Sequence, residues 1–303
     1  MKIAVTGSSG LIGSALVPAL RADGHRVLRV VRRPPAGDDE LRWDPARREL
    51  DPAVLADVDA VVHLGGVNIG SRRWTQKRRD AVVRSRVDGT ETVAEALARV
   101  ATSAPRPRAL LSASAIGFYG DTGDRAVDET APPGGGFLAG VCRRCEGSAA
   151  AAEEAGVRVV HLRSGLVCSR RGGVLGPLLP LARAGLAGPL ASGRQYWSWI
   201  SLADEVGAVR HLLDRGDVAG PVNLTGPEPL TNRDFTRVLG EVLHRPTVLP
   251  VPGFALRIVV GGFAGEGIIA GQRVLPAVLE RTGYRFQHPT AEQALQWVTG
   301  SAG

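Results

Sequence analysis

The stretch Lys2-Ile3-Ala4-Val5-Thr6-Gly7-Ser8-Ser9-Gly10-Leu11-Ile12-Gly13 decides how the rest of the chain is read. Lys2 to Thr6 is a short β-branched run, and Leu11 to Arg21 carries Leu11, Ile12, Ala15, Leu16, Ala19 and Leu20 at helical spacing. Between strand and helix the glycines fall as G-x-x-G-x-x-G, not as the G-x-G-x-x-G of the dehydrogenase-type fingerprint. Gly7 suits a tight turn with positive φ, Gly10 lets the backbone approach a pyrophosphate, and Gly13 lets the helix pack close to the strand. The first N–H groups of the helix and the positive end of its dipole then face whatever anion lies there.

Working outward, Arg26 to Val31, Ala60 to Leu64, Ala109 to Ala113 and Arg158 to Leu162 read as further strands. Trp74 to Val100 reads as a long helix with Val82, Val83, Val87, Val93, Ala94 and Leu97 on one face. Strand and helix in alternation mean right-handed βαβ units, hence an α/β fold on a doubly wound parallel sheet. After about residue 170 strands become sparse, Pro and Gly cluster at 172–180 and 188–193, and helices at Leu202 to Leu213 and Asn232 to Leu243 dominate. The expected organisation is a nucleotide-binding domain over 1–170, with contributions from about 195–225, and a smaller mixed substrate lobe over 171–303. No repeat of solenoid period is present.

The end of the second strand selects the dinucleotide. An acid there accepts from the ribose 2′-OH of NAD, whereas arginine pairs with the 2′-phosphate of NADP. The strand ends Val30-Val31-Arg32-Arg33, so NADP is expected, with Arg32 and Arg33 at the phosphate.

Composition narrows the class. The 303 residues, 44% hydrophobic and 22% charged, are ordinary for a globular chain, and the 39 Gly and 20 Pro read as turns. A net charge of +7 raises nucleic acid, but residues 1–150 hold 22 basic and 18 acidic side chains against 15 and 12 in the remainder, so no basic arm exists. Only Lys2 and Lys77 are lysine, a skew explained by codon composition rather than by phosphate contacts, and no nucleic-acid partner is expected. Cys142, Cys145 and Cys168 make neither a disulfide framework nor a zinc quartet, so no metal is expected and the C-x-x-C reads as two small helix residues. MKIAVTG leads straight into a strand with no signal-peptide pattern, which makes a cytoplasmic protein the expectation. The apolar stretch Val251 to Gly265 is broken by Arg257 and glycines, too short to span a membrane.

Several further pieces join the glycine loop: Leu64-Gly65-Gly66-Val67-Asn68-Ile69, Arg73-Trp74-Thr75, Ser85-Arg86, Ser112-Ala113-Ser114-Ala115-Ile116-Gly117-Phe118-Tyr119-Gly120-Asp121, Leu162-Arg163-Ser164-Gly165-Leu166-Val167, Gly193-Arg194-Gln195-Tyr196-Trp197-Ser198-Trp199-Ile200 and Gly271-Gln272-Arg273-Val274-Leu275-Pro276. Together they resemble the extended short-chain dehydrogenase/reductase superfamily, and within it an atypical epimerase family with a DUF1731-type C-terminal region. The resemblance covers nearly the whole chain. It implies a Rossmann domain, NADP(H) over the strand ends, and a substrate cleft between two lobes. It also implies that Gly7, Ser9, Gly10, Leu11, Ile12 and Gly13 hold the pyrophosphate, that Leu64 and Gly65 pass under the adenosine and ribose, and that Ser114 is the catalytic serine. Trp43-Asp44 falls near the adenine end.

The superfamily's chemical centre is Y-x-x-x-K, a proton-transferring tyrosine with a lysine that lowers its pKa and holds the nicotinamide ribose. This chain cannot have it: four residues after Tyr119, Tyr196 and Tyr284 stand Gly123, Ile200 and His288. Aligning Phe137 to Glu146 on its glutamate puts Leu138 in the tyrosine position and Cys142 in the lysine position. The resembled family also tends to lack the pair. The candidate acids are Tyr119 or a hydroxyl or carboxyl of the substrate, and with no positive neighbour the Tyr119 pKa is expected near the ordinary value of about 10.

His63 reads as a packed strand-end histidine rather than a base, and Arg163 as a buried hydrogen-bonding arginine rather than a substrate ligand. Tyr196, Trp197 and Trp199 suit either stacking on a flat substrate or packing, and Asp121 to Gly136 suits either a lid or a solvated connector. Two functions follow: an NADP-dependent oxidoreductase or epimerase acting on a small sugar-nucleotide or carbonyl substrate beside Ser114 and Tyr119, or a non-catalytic NADPH-binding sensor that docks a partner. Superfamily relatives often dimerise through two helices, here Trp74 to Val100 and Phe137 to Ala155, but the Arg-rich outer faces leave monomer and homodimer both open.

Overall fold

A computed structural model describes residues 1–70, 74–103, 108–254, 262 and 264–300. Arg73 of the resemblance and residues 255–261 and 263 of the broken apolar stretch lie outside these. Among the described residues no helix is long and apolar enough to cross a membrane.

Seven strands form one all-parallel sheet: β1 (Lys2–Thr6), β2 (Arg26–Val31), β3 (Glu40–Arg42), β4 (Ala60–His63), β5 (Ala109–Ala115), β6 (Arg158–Ser164) and β7 (Gly220–Leu224). Their order is β7-β6-β5-β4-β1-β2-β3. Every strand expected from an apolar run is there. β3 was missed because its three residues include two charges, and β7 because it opens Gly220-Pro221, a pair that an edge strand tolerates since one side of it needs no ladder.

Alternate strand residues supply the two sides of the core. Ile3, Val5, Leu111, Val160 and Leu162 meet Leu16 and Leu20 of helix α1 (Leu11–Ala22) and Val209 and Leu212 of a helix spanning Leu202–Asp214. Ala4, Val61, Leu110 and Val159 meet Val93 and Leu97 of α2 (Gln76–Ser103) and Ala152 of a short helix at Ala150–Glu154. The latter continues α3 (Phe137–Gly147) after a break at Ser148, where one unbroken helix was expected.

The second lobe packs helices Leu175–Arg183, Asn232–Leu243 and Ala291–Thr299 around Trp197, Trp199, Phe235 and Leu295. It joins the first through Arg273–Val274, paired in parallel with Ala126–Val127, over a junction of Ile116, Phe118, Tyr119, Val127, Cys142 and Val274. Because β1 has β2 on one side and β4 on the other, the chain reverses its winding there, and the crevice beyond the carboxyl ends of these strands is where such a sheet binds ligands.

Candidate cofactor and active site

At the mouth of that crevice Gly7 has φ +63°, and a Cβ on it would lie 2.6 Å from the Leu64 carbonyl oxygen. A Cβ on Gly13 would lie 2.3 Å from the Gly7 oxygen, so both positions admit glycine alone. The Gly10 amide closes the turn on the Gly7 oxygen at 2.9 Å. Gly10 caps α1 with no side-chain hydrogen bond and no acid stands in the first turn, so the helix start keeps open donors for an anion. Ser9 and Gly10 are exposed and Leu11 and Ile12 half-buried, all along one rim.

The two arginines after β2 part company. Arg33 is locked as a fork on Glu40, its terminal nitrogens 2.5 and 2.6 Å from the two carboxylate oxygens. Arg33 and the Ala36 amide hold the Glu40 carboxyl down at about 2. Arg32 is exposed and pairs with no side chain among the described residues, which leaves it as the phosphate candidate. Glu40 lies on the strand missed in the sequence, which is why Arg33 looked available.

Beyond β4, Thr6 organises the turn: its hydroxyl oxygen accepts the amides of Leu64 and Gly65, both at 3.1 Å, and contacts His63 Nδ1 at 2.8 Å. With its oxygen so used, the Thr6 proton goes to Nδ1 and the His63 hydrogen to Nε2. Burial, and secondarily the Arg86 charge, push His63 down to about 4, so it is a neutral packed residue with its ring edge-on to Trp43. Trp43 is buried, and Asp44 accepts the Ala46 amide within its own turn.

Ser114, half-buried at the end of β5, donates to Glu146 Oε1 at 2.7 Å. Glu146, from α3, is gripped by Arg163 of β6 through Nε at 2.9 Å and a terminal nitrogen at 2.8 Å. The other Arg163 nitrogen donates to the Tyr119 hydroxyl at 2.9 Å, which donates to Asn223 Oδ1 of β7 at 2.8 Å. The Arg163 guanidinium also lies 3.5 Å from the centre of the Phe118 ring.

The expected surroundings and pKa of Tyr119 are corrected by this arrangement. It is 3% exposed, it has Arg163 as a positive neighbour, and burial raises its pKa despite Arg163 and Asn223. Its hydroxyl accepts from Arg163 and donates to Asn223, so both of these bonds are made within the chain. Cys142, in the lysine position, is a buried thiol pushed up to about 12 by burial, and it rests on the Ala115 carbonyl. Trp197 and Trp199 are buried packing residues, and Tyr196 stacks under Arg273. The Asp121–Gly136 segment is a tied connector, with the Thr122 amide bonded to the Gly271 carbonyl at 2.8 Å.

Two side chains were given no role by the sequence reading, although Arg86 was quoted in it. Arg86 of α2 sits against Gly66, and Glu266 of the second lobe accepts the Leu138 amide at 2.7 Å. Glu266 lines a cavity of about 190 Å³ with Gly117, Leu138, Asp121 and Gln272, directly beside the tyrosine position. A hollow of about 540 Å³ around Asp23, His25 and Arg210 is larger but lies by the amino end of β2, away from the crevice, and its Arg210 is already paired with Asp23. Among the described residues no group of three His, Cys, Asp or Glu is placed to hold a metal.

Residues 3–225 match the model of the NAD dependent epimerase/dehydratase family, and residues 251–298 match a domain of unknown function, DUF1731. An epimerase family protein of Mycobacterium bovis is 48% identical over 99% of this chain and 98% of its own length. The human epimerase family protein SDR39U1, solved with NADPH, superposes with a TM-score of 0.87 at 31% identity over 99% of both chains. A nucleoside-diphosphate sugar epimerase from Corynebacterium glutamicum gives a TM-score of 0.81 at 31% identity, over 99% of this chain and 58% of that one.

Proposed function

We propose, on the premise that the chain belongs to the NAD dependent epimerase/dehydratase family, that it is an NADP(H)-binding oxidoreductase or epimerase-like protein. Its substrate would be a small molecule with a hydroxyl or carbonyl group, sugar nucleotides and simple carbonyl compounds being the first classes to try. The observation that carries this reading is the glycine turn: at Gly7 and Gly13 the backbone packs so closely on the Leu64 carbonyl and on the Gly7 carbonyl that no Cβ fits, and the tight turn so formed leads into a helix start with no side-chain cap. Arg32, which pairs with no acid among the described residues, suits the 2′-phosphate, and the relative solved with NADPH supports the same choice.

When bound, the dinucleotide supplies the hydride donor or acceptor. The chain's own contribution centres on Ser114. Its proton is committed to Glu146, so its oxygen accepts the hydrogen bond of a substrate hydroxyl, and as it takes that proton it passes its own to Glu146. Arg163, steadied by Tyr119, fixes the carboxylate geometry.

The test is titration of cofactor-stripped protein with NADPH and NADH, repeated on Arg32→Ala and on Arg33→Ala, followed by a substrate panel with Ser114→Ala as control. Tight NADPH binding weakened toward the NADH value by Arg32→Ala supports the reading; binding of neither dinucleotide ends it. A second reading, a non-catalytic NADPH-dependent partner-binding protein, is favoured by Leu138 and the protonated Cys142 where a proton relay would stand. Identical protein partners with and without NADPH would remove it.

A further inference from the structure

Two segments of the second lobe lie side by side and expose apolar side chains together. Residues 246–253 run alongside 185–191: a Cβ on Gly185 would meet Pro246 at 3.6 Å, the Leu249 amide donates to the Ala187 carbonyl at 3.4 Å, and Leu190 bridges Val251 in parallel. Leu181 and Leu186 on the first side and Val248, Leu249 and Phe254 on the second are exposed, five of the seven large apolar side chains so placed among the described residues. Single exposed apolar residues are ordinary, whereas a cluster of this kind marks contact with something outside the chain.

The charge around the cluster has one sign. The sequence has no acid between Glu154 and Asp204 and none between Glu241 and Glu266, and both segments fall inside those intervals. Arg183 and Arg245 stand where the segments begin, the Arg245 Nε donating to the Arg183 carbonyl at 3.1 Å. Arg194 and Arg233 stand where they end, a Cβ on Gly193 lying 3.2 Å from the Arg233 side chain. All four arginines are exposed and none pairs with an acid among the described residues; Glu241, next to the second segment in sequence, is held by Arg237 at 2.6 Å.

We propose that this face seats the second lobe on the surface of an anionic bilayer, with Val248, Phe254 and their apolar neighbours below the headgroups and the arginines on lipid phosphates. Charge complementarity selects this occupant over a second copy of the chain. A two-fold contact through the same face would bring its arginines together with no acid between them. Shape selects it over a protein groove. Val248 and Phe254 are 75% and 68% exposed, so they stand out from the surface instead of lining a recess. Acyl chains receive such tips without a matching surface, and the long arginine side chains reach the phosphates above them. The proposal stands apart from the dinucleotide reading, since no residue of the glycine loop or of the Ser114 end takes part.

The experiment floats the full chain with vesicles of phosphatidylcholine, alone or with phosphatidylglycerol added. Wild type is expected to bind the anionic vesicles at least about tenfold more tightly than the neutral ones, and less as salt is raised. Arg183→Gln with Arg245→Gln should lose about tenfold of that binding, and Val248→Ser with Phe254→Ser about tenfold or more, both with unchanged thermal melts. An environment-sensitive dye on Val248→Cys, specific because the native cysteines are all buried, should shift to the blue on anionic vesicles; it decides the matter if the serine pair melts early. Failure of the wild type to float overturns the proposal. So does flotation that the serine pair leaves unchanged with the dye still in water, which would be attraction by charge elsewhere on the chain. Light scattering that shows a dimer split by the serine pair would assign the face to a second copy and overturn it as well.

Discussion

The two ends of the crevice are built on opposite terms. The glycine-loop end is made of backbone, with open amide donors, a helix start with no side-chain cap and Arg32, which has no partner among the described residues. The Ser114 end is made of side chains that satisfy one another, from Ser114 through Glu146, Arg163 and Tyr119 to Asn223. The first end keeps its hydrogen-bonding capacity for a ligand; the second has spent most of it on holding one serine in one orientation. Binding and orientation are thus separated along the same sheet edge.

That contrast is open to attack by mutation. Glu146→Ala leaves Arg163 buried without its partner and should cost about 3–5 kcal/mol, read by urea unfolding, with Arg163→Met in the same chain recovering most of it. A loss below about 1 kcal/mol would show that the ion pair does not order this end.

Acidity should distinguish the ends next. Glu205, bonded to the Ser164 hydroxyl at 2.5 Å, is pushed up to about 7 by burial, against which Ser164 pulls only weakly. An unfolded chain releases that proton near pH 4.3. Stability therefore falls as pH rises from there to about 7, where the loss levels off at roughly 4 kcal/mol. His63, held down at about 4, acts in the other sense, since the unfolded chain takes up a proton that the folded one refuses as pH drops below about 6.5. Glu205→Gln should make the protein more stable than wild type at pH 8 and leave the acid limb intact. An unchanged alkaline limb in thermal melts would refute the assignment.

Arg32→Ala should weaken NADPH by about tenfold and leave NADH alone, and Arg33→Ala should do less because its fork is already on Glu40; equal losses would mean that Glu40 releases Arg33 to the ligand. At the smallest end, Ser9→Ala, which removes an exposed hydroxyl with no hydrogen bond among the described residues, should shift stability by less than about 0.5 kcal/mol. A larger shift in the same melts would mean that side chains matter at the loop end too.

The glycine-loop end was legible because its requirements are local. Gly7, Gly10 and Gly13 lie within one turn between a strand and a helix, and the reasons for them are steric. The Ser114 end was not, because each residue there takes its meaning from a distant one. Tyr119 looks like a free acid until Asn223 closes over it from the edge strand, and Arg33 looks free until Glu40 arrives on a three-residue strand that no apolar pattern announces. Arg86 was quoted as part of a motif but has no periodicity or spacing to mark it; its bond to the Val67 carbonyl is a fact of packing. The strands were legible from their apolar runs, and β7 failed because Gly220-Pro221 reads as a turn.

The position of β7 in the chain also bears on how the protein is made. β6 ends at Ser164 and its outer neighbour arrives only with Gly220–Leu224, after the second lobe has begun. On a ribosome adding about 5–20 residues per second, the open edge of β6 waits several seconds for its partner, with Tyr119 lacking its acceptor, Asn223 Oδ1, for the same interval. Nascent chains halted before residue 220 should therefore be the ones a chaperone holds, and release should coincide with the edge strand's emergence.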